Sequence, residues 1–338
     1  MILAEGDGSA QARALLGLAN LDYRHDDFQA ALAQYRQILD QFPQSASAAR
    51  AAYLSAWCWA RLGQEEAALA AFRDFVDSYP HSPWAAEALF WLAEQDYNHG
   101  WFEQAEKIWK QLAQAYPQAI VADQALFWAG RAALKQNEFR RARDCFSALI
   151  KNYPASSRLS EARFYQGEAL CEVGEFAGAI LIFDEIIRQF PDSDLSEVAW
   201  LRKGDSQFAL GTETPRRYEE ALAAYRHISA RSEIMPLLIA QLEYKIGREF
   251  EKMGRSAEAF ESYMKVVYDY LKDPELRPQG NVWFVRAAFN AAGLKEEEKS
   301  WRKAVAVYER VVEASLPASQ DAQERIKRIQ AEHWMHFY

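Results

Sequence analysis

Cysteine is scarce in this sequence. The 338 residues hold three, Cys58, Cys145 and Cys171, an odd number with neither CxxC nor zinc-knuckle spacing. That excludes a disulfide framework and a structural zinc site, and leaves the three as small buried hydrophobes. Positive charge is also in deficit: Lys and Arg total 39 against 48 Asp and Glu, a net charge of −9. Such a field repels phosphate backbones, so nucleic acid is not an expected partner. Long apolar runs are missing, and no stretch approaches the ~20 residues that cross a bilayer as a helix. The opening Met1–Ser9 lacks the basic and apolar regions of a signal peptide. It reads as a disordered or appended start before helical sequence begins at Ala10, the mark of a fragment or of a mature form without its leader.

Catalytic signatures are absent as well. There is no GxGxxG, GxxxxGK[ST], GxSxG or HExxH. The six histidines are scattered, and the one close pair, His333 and His336, lies at the carboxyl end, where a frayed tail is expected rather than a metal site. Carboxylate pairs such as Glu65–Glu66 and Glu219–Glu220 fall near helix starts, where negative charge is favourable in a purely structural role. The expected protein has no catalytic residues, cofactor or metal. What the sequence has in quantity is apolar material: half its residues are hydrophobic and 14% aromatic, enough for a continuous core.

That material is periodic. Pro43, Pro80, Pro117, Pro154 and Pro191 recur every 37 residues, each after an aromatic. Twelve residues before each stands an alanine (Ala31, Ala68, Ala105, Ala142, Ala179), and eight before stands an aromatic (Tyr35, Phe72, Trp109, Phe146, Phe183). Alanine, aromatic and a further apolar residue at i, i+4 and i+7 form the buried stripe of an amphipathic helix, with alanine at a close helix–helix approach. Gly63, Gly100, Asn137 and Gly174 share the same interval and suit a helix C-terminus that turns through the left-handed region. Proline ends the second helix, and small polar residues after it, such as Ser45, Ser82 and Ser193, can cap the next. Each unit is therefore helix, tight turn, helix, stop, and repetition at this period signals a solenoid.

The stripe continues less regularly as Ala221/Tyr225/Ile228, Ala259/Tyr263/Val266 and Ala304/Tyr308/Val311. Insertions fall at 212–217, at 273–280 and at 295–299. From about Ser319 a last amphipathic helix has the polarity of a terminal cap. The expected organisation is five regular repeats over 10–193, three irregular ones over 194–318, and a capping helix and tail over 319–338, in all seventeen helices.

Gly130, Gly167, Gly204 and Gly247 in first helices, together with the second-helix Ala and aromatic and the closing Pro, make the chain resemble the tetratricopeptide repeat family. Ala56 and Ala93 replace the glycine in repeats 2 and 3. The resemblance implies an all-α, right-handed superhelical solenoid of about eight helix pairs plus a capping helix, whose partner is a protein or peptide. A narrower likeness is to bacterial envelope members, the Tol-Pal-associated periplasmic protein and the outer-membrane assembly lipoprotein. It rests on Tyr79-Pro80-His81-Ser82 leading to Ala88-Leu89-Phe90-Trp91-Leu92-Ala93, and on Tyr116-Pro117 leading to Ala125–Gly130. It implies a periplasmic or envelope location, although the amino-terminal coiled coil or lipobox cysteine of those proteins is absent.

First helices of such a solenoid line a concave groove. Counted from the glycine position, that face carries Tyr53 and Trp57 in repeat 2, Phe90, Glu94 and Tyr97 in repeat 3, and Phe127, Arg131 and Lys135 in repeat 4. It continues with Phe164 and Glu168, then Asp205, then Tyr244 and Arg248. In the doublets Phe90-Trp91, Phe127-Trp128 and Phe164-Tyr165 the members differ by 100° around the helix, so one of each can face the groove or both can pack between repeats. Phe and Glu stand where chaperone-tail clamps of the family carry Lys and Asn, so such tails are not expected ligands. The reading is a scaffold or adaptor of the bacterial envelope. The alternatives are a cytoplasmic arm of a larger regulatory or secretion protein and the non-catalytic domain of a cell-wall enzyme.

Overall fold

The computed structural model describes residues 2–230 and 235–337, with side chains from Gly8 onward. Among them are seventeen α-helices and no strand. The chain divides into two compact units, Met1–Ala169 and Leu170–Tyr338. This boundary lies within a helix, not at residue 193 where regular spacing ends.

The first unit contains α1 (Ile2–Arg24), α2 (Phe28–Gln41), α3 (Ala48–Arg61), α4 (Glu65–Ser78), α5 (Ala85–Asn98), α6 (Phe102–Ala115), α7 (Ala122–Lys135) and α8 (Phe139–Asn152). Helix α9 (Leu159–Glu172) follows and spans the boundary. From α1 to α8 each helix packs on the next. The period of 37 comes from fourteen-residue helices separated alternately by three and six residues. Helix α1 begins at Ile2, so a helix replaces the expected irregular start; the segment before Ala10 holds no proline to stop it.

The tight turns are as the sequence predicts. Gly63, Gly100 and Gly174 have φ of 71°, 81° and 78°, and Asn137 has 58°. The amide three residues beyond the helix reaches back five residues in each case, as in Gln64 N–H to the Trp59 carbonyl (3.0 Å) and Trp101 N–H to that of Asp96 (2.8 Å), closing the helix end. Asp26 and Lys299 hold the same conformation, with φ of 61° and 57°, at turns where no glycine marks the place. The tyrosine of the Tyr-Pro motif has a role that spacing does not show. Tyr116 Oη donates to the Pro80 carbonyl (2.6 Å) and Tyr153 Oη to that of Pro117 (2.9 Å), tying each repeat to the one before. The capping expectation is corrected: α3 and α5 start after Ser47 and Trp84 with no side-chain cap, and Ser193 alone of the three serines is itself the cap, accepting from Leu195 N–H at 3.2 Å.

Small residues and aromatics interlock inside each pair. The second-helix alanines Ala31, Ala68, Ala105, Ala142, Ala179, Ala221, Ala259 and Ala304 are fully buried. A Cβ on Gly130 would lie 2.6 Å from the Phe146 ring, and on Gly204 or Gly247 it would lie 2.5 Å from Tyr225 or Tyr263. The aromatic of one helix thus occupies the space the glycine of the other leaves open. Ala105→Leu, Ala142→Leu and Gly204→Ala are each expected to cost about 1–3 kcal/mol through overpacking. Urea midpoints check this against the exposed control Gln114→Leu, and unchanged midpoints in all three would refute the register.

In the second unit α10 (Phe176–Gln189) and α12 (Arg216–Ser229) keep fourteen residues, while α11 (Asp194–Gly211) has eighteen. Helices α13 (Pro236–Lys252), α14 (Ser256–Lys272) and α15 (Asn281–Glu297) have seventeen each. The irregular spacing of this half therefore arises largely inside its helices, which are about one turn longer, as well as in the loops. Helices α16 (Trp301–Glu313) and α17 (Ser319–Glu332) complete the unit. Helix α17 buries Ala322 and Ile329 on α16. The carboxyl end is docked, not frayed: His333 stacks on Trp301 with centroids 3.6 Å apart, and Arg302 Nε donates to the His336 carbonyl.

Candidate protein-binding site

The aromatic doublets of the first unit are used on both sides. In the Phe90-Trp91 and Phe127-Trp128 doublets the first member packs on its own repeat's second helix and the second on that of the preceding repeat. Phe90 meets Trp109 at 5.9 Å while Trp91 meets Phe72 at 4.5 Å. Phe127 meets Phe146 at 6.0 Å while Trp128 stacks on Trp109 at 6.2 Å. Tyr165 stacks on Phe146 at 5.8 Å, and Phe164 packs edge-on to Tyr165. The hundred-degree offset therefore directs the two rings into two interfaces, not one into the core and one into solvent. Phe127 is 1% exposed, which corrects its assignment as a groove anchor.

The other assigned residues of this unit form a ladder along the first helices. Tyr53 stacks on Trp84 and touches Trp57, which in turn contacts Trp91. Tyr97 sits among Phe102, Trp109 and Trp128. All three of Tyr53, Trp57 and Tyr97 are half-buried, whereas Glu94 and Lys135 are exposed. Glu168 is half-buried and engaged within the fold. Arg131 is fixed in place: its guanidinium donates to Tyr165 Oη at 2.6 Å and lies over that ring at 4.4 Å. Among the described residues no carboxylate pairs with it.

Asp205, Tyr244 and Arg248, assigned to the same face, come together in the second unit around a cavity of about 270 Å³. From α11 come Asp205 and Phe208, from α12 Tyr225, and from α15 Trp283 and Arg286. Helix α13 supplies Tyr244, Lys245, Arg248 and Glu249. Asp205 is neutralised within the protein, since Tyr225 Oη donates to it at 2.7 Å, Lys245 pairs with it, and Arg202 lies 3.6 Å away. Tyr244 is 8% exposed, so it contributes a wall and not a projecting anchor, held between Tyr263 and Trp283.

Glu249 is the unusual member. It is fully buried, and neither carboxyl oxygen has a hydrogen-bond partner within the protein. Burial pushes its pKa up to about 9, with Asp205 adding to the rise against Lys245 and Arg248; the acid is neutral at physiological pH and is a hydrogen-bond donor there. Arg248 Nε is likewise buried without a partner. Arg248 lies over Phe208 and Arg286 over Trp283, both at 5.6 Å, and neither has a carboxylate within ion-pair distance among the described residues. No group of three His, Cys, Asp or Glu that could hold a metal occurs among them, and no described helix is long and apolar enough to cross a membrane.

The tetratricopeptide repeat profile matches residues 10–83, 92–157 and 127–194, together more than half of the chain. The chain belongs to the tetratricopeptide repeat family. Among solved structures, the Naa15/Naa10 complex bound to HypK-THB shares 15% identity over 96% of this chain and 46% of that one, with a TM-score of 0.58. A tetratricopeptide repeat protein from Parabacteroides merdae covers 82% of this chain and 98% of its own at 15% identity and a TM-score of 0.42. YrrB, described as having an unusual peptide-binding site, covers 61% and 94% at 15% identity and a TM-score of 0.46. A search of curated proteins finds no significant match. At these identities the likenesses show the repeat fold alone.

Counting positions along the repeats misses Lys245, Glu249, Trp283 and Arg286. One signal in the sequence marks Glu249. It stands two residues after Gly247, where the other repeats place Cys58, Ala132 and Ala169, all fully buried, Ser206, 1% exposed and donating to the Arg202 carbonyl, and Gln95, half-buried; none of these carries a charge. A carboxylate in that register is a charge-bearing group at a core position.

Proposed function

We propose that this protein is a non-catalytic scaffold that holds a protein segment along its first-helix face and works in the bacterial envelope, in the periplasm. The observation that carries the binding reading is the fixed guanidinium of Arg131. Tyr165 orients it and no carboxylate neutralises it, while Glu94 and Lys135 stand exposed on the neighbouring first-helix turns. A charge kept oriented and unpaired sets register and association rate for a partner of complementary charge. The envelope assignment rests on the Tyr-Pro and Ala-x-aromatic-aromatic pattern alone. Co-purification from periplasmic and cytoplasmic extracts tests both parts. Arg131→Glu combined with Glu94→Lys is expected to slow association of the captured partner about tenfold or more at low salt, while the urea midpoint falls only by the loss of the Arg131–Tyr165 contact, about 1–2 kcal/mol. Unaltered association would sink the first-helix reading, and capture only from cytoplasmic extract would sink the location.

A further inference from the structure

The cavity of the second unit is a mismatch until something enters it. A repeat protein gains nothing in stability from a buried carboxyl group at a position its other repeats fill with the uncharged Ala, Cys, Ser or Gln, nor from a buried guanidinium nitrogen with no acceptor. Residues that break the local pattern at such a cost point to a site. With Asp205 already satisfied and Glu249 carrying its proton, the cavity has an excess of cationic donors, Arg248 and Arg286, on aromatic walls. Among the described residues neither arginine has a carboxylate within ion-pair distance, and the one ionised carboxylate of the lining, Asp205, is already held by Tyr225 and Lys245.

We propose that this cavity seats the carboxylate of an acidic side chain, Asp or Glu, from a bound protein segment, gripped by Arg248 and Arg286 and by a hydrogen bond donated from Glu249. Trp283 and Phe208 flank it and cover an apolar neighbour of that acid. This deepens the scaffold reading and rests on it: a segment laid across α13 and α15 presents a side chain to the cavity, not its own carboxyl terminus. The bound carboxylate supplies the acceptor that Arg248 Nε and the Glu249 hydroxyl lack. Binding is then tied to one proton. Deprotonating Glu249 removes the donor and places a second negative charge against the ligand, so affinity falls as pH rises through about 9. The other charged or titratable groups around Glu249 are Asp205 and Arg202 on α11, Tyr225 on α12, Tyr244, Lys245 and Arg248 on α13, and Arg286 on α15. On α14, Tyr263 is engaged by Glu251 and Asn290.

The test titrates the full chain with a Gly/Ser hexapeptide carrying adjacent Phe and Glu, acetylated and amidated at its ends, by calorimetry at pH 7 and pH 10. The Glu peptide is expected to bind. Its affinity should fall about tenfold at pH 10, the protonated fraction of Glu249 there being about one tenth. Glu249→Gln keeps an amide donor and should bind with that pH dependence gone, and Arg248→Gln with Arg286→Gln should lose at least tenfold in affinity. A Gln peptide binding equally well, a Lys peptide binding better, affinity rising with pH, or a full pH dependence in Glu249→Gln would each overturn the proposal. So would preference for a free carboxyl terminus on the Gln peptide, or no binding by any of them. The natural partner separates this from the scaffold reading: loss of its binding in Arg131→Glu/Glu94→Lys but not in Arg248→Gln/Arg286→Gln leaves the scaffold reading standing and removes this one.

Discussion

Glu249→Gln is expected to leave the second unit's stability unchanged near pH 4.5 and to raise it progressively above the parent protein's as pH increases. The direction follows from linkage. In the unfolded chain the acid titrates near 4.5, whereas in the folded state burial holds its proton until about pH 9. Between those values the folded state carries one proton more than the unfolded state, so folding stability falls with rising pH by about 1.4 kcal/mol per unit. It is fully present below 4.5 and levels off above 9. Across the whole window the parent protein loses on the order of 6 kcal/mol relative to the glutamine variant. Other groups titrate in the same range, and the difference between the two proteins cancels them. Because repeat proteins unfold in parts, amide hydrogen exchange in α13 is the direct reading. Parallel pH profiles for the two proteins would show that Glu249 is ionised in the folded state, and the cavity would then contain a charge and not a donor.

Phe127→Ala is expected to unfold the centre of the first unit before it says anything about binding. The ring is 1% exposed and contacts Phe146, Trp128 and Tyr165, with Arg158 lying over its face. Deleting it leaves a cavity between two repeats and costs about 3–5 kcal/mol. Phe164→Ala, at a half-exposed ring, should cost less. Urea denaturation of both variants decides the matter. If Phe127→Ala keeps its midpoint yet abolishes binding of an identified partner, the ring is an anchor after all and does not pack between the repeats in solution.

The sequence by itself determined the repeat. Pro43 to Pro191 at one interval, the alanine and aromatic before each, and the glycine or asparagine of each turn suffice because every repeat touches mainly its neighbours, so a local template is nearly the whole fold. It determined the seventeen helices and the burial of Ala105 or Phe146 for the same reason. Helical geometry also placed Arg131 and Glu94 on first helices with usable accuracy. What it left open was which ring of a doublet is buried, since a hundred-degree step has two interfaces available to it, and the structure uses both. The cavity in the second unit was decided by tertiary structure alone. Asp205, Tyr225, Glu249 and Arg286 belong to four helices of three repeats whose lengths have departed from the template. Spacing cannot say whether a carboxylate two residues past Gly247 meets a cation, a solvent channel or an apolar wall; that depends on the burial and field made by all four helices together, which hold its proton at neutral pH.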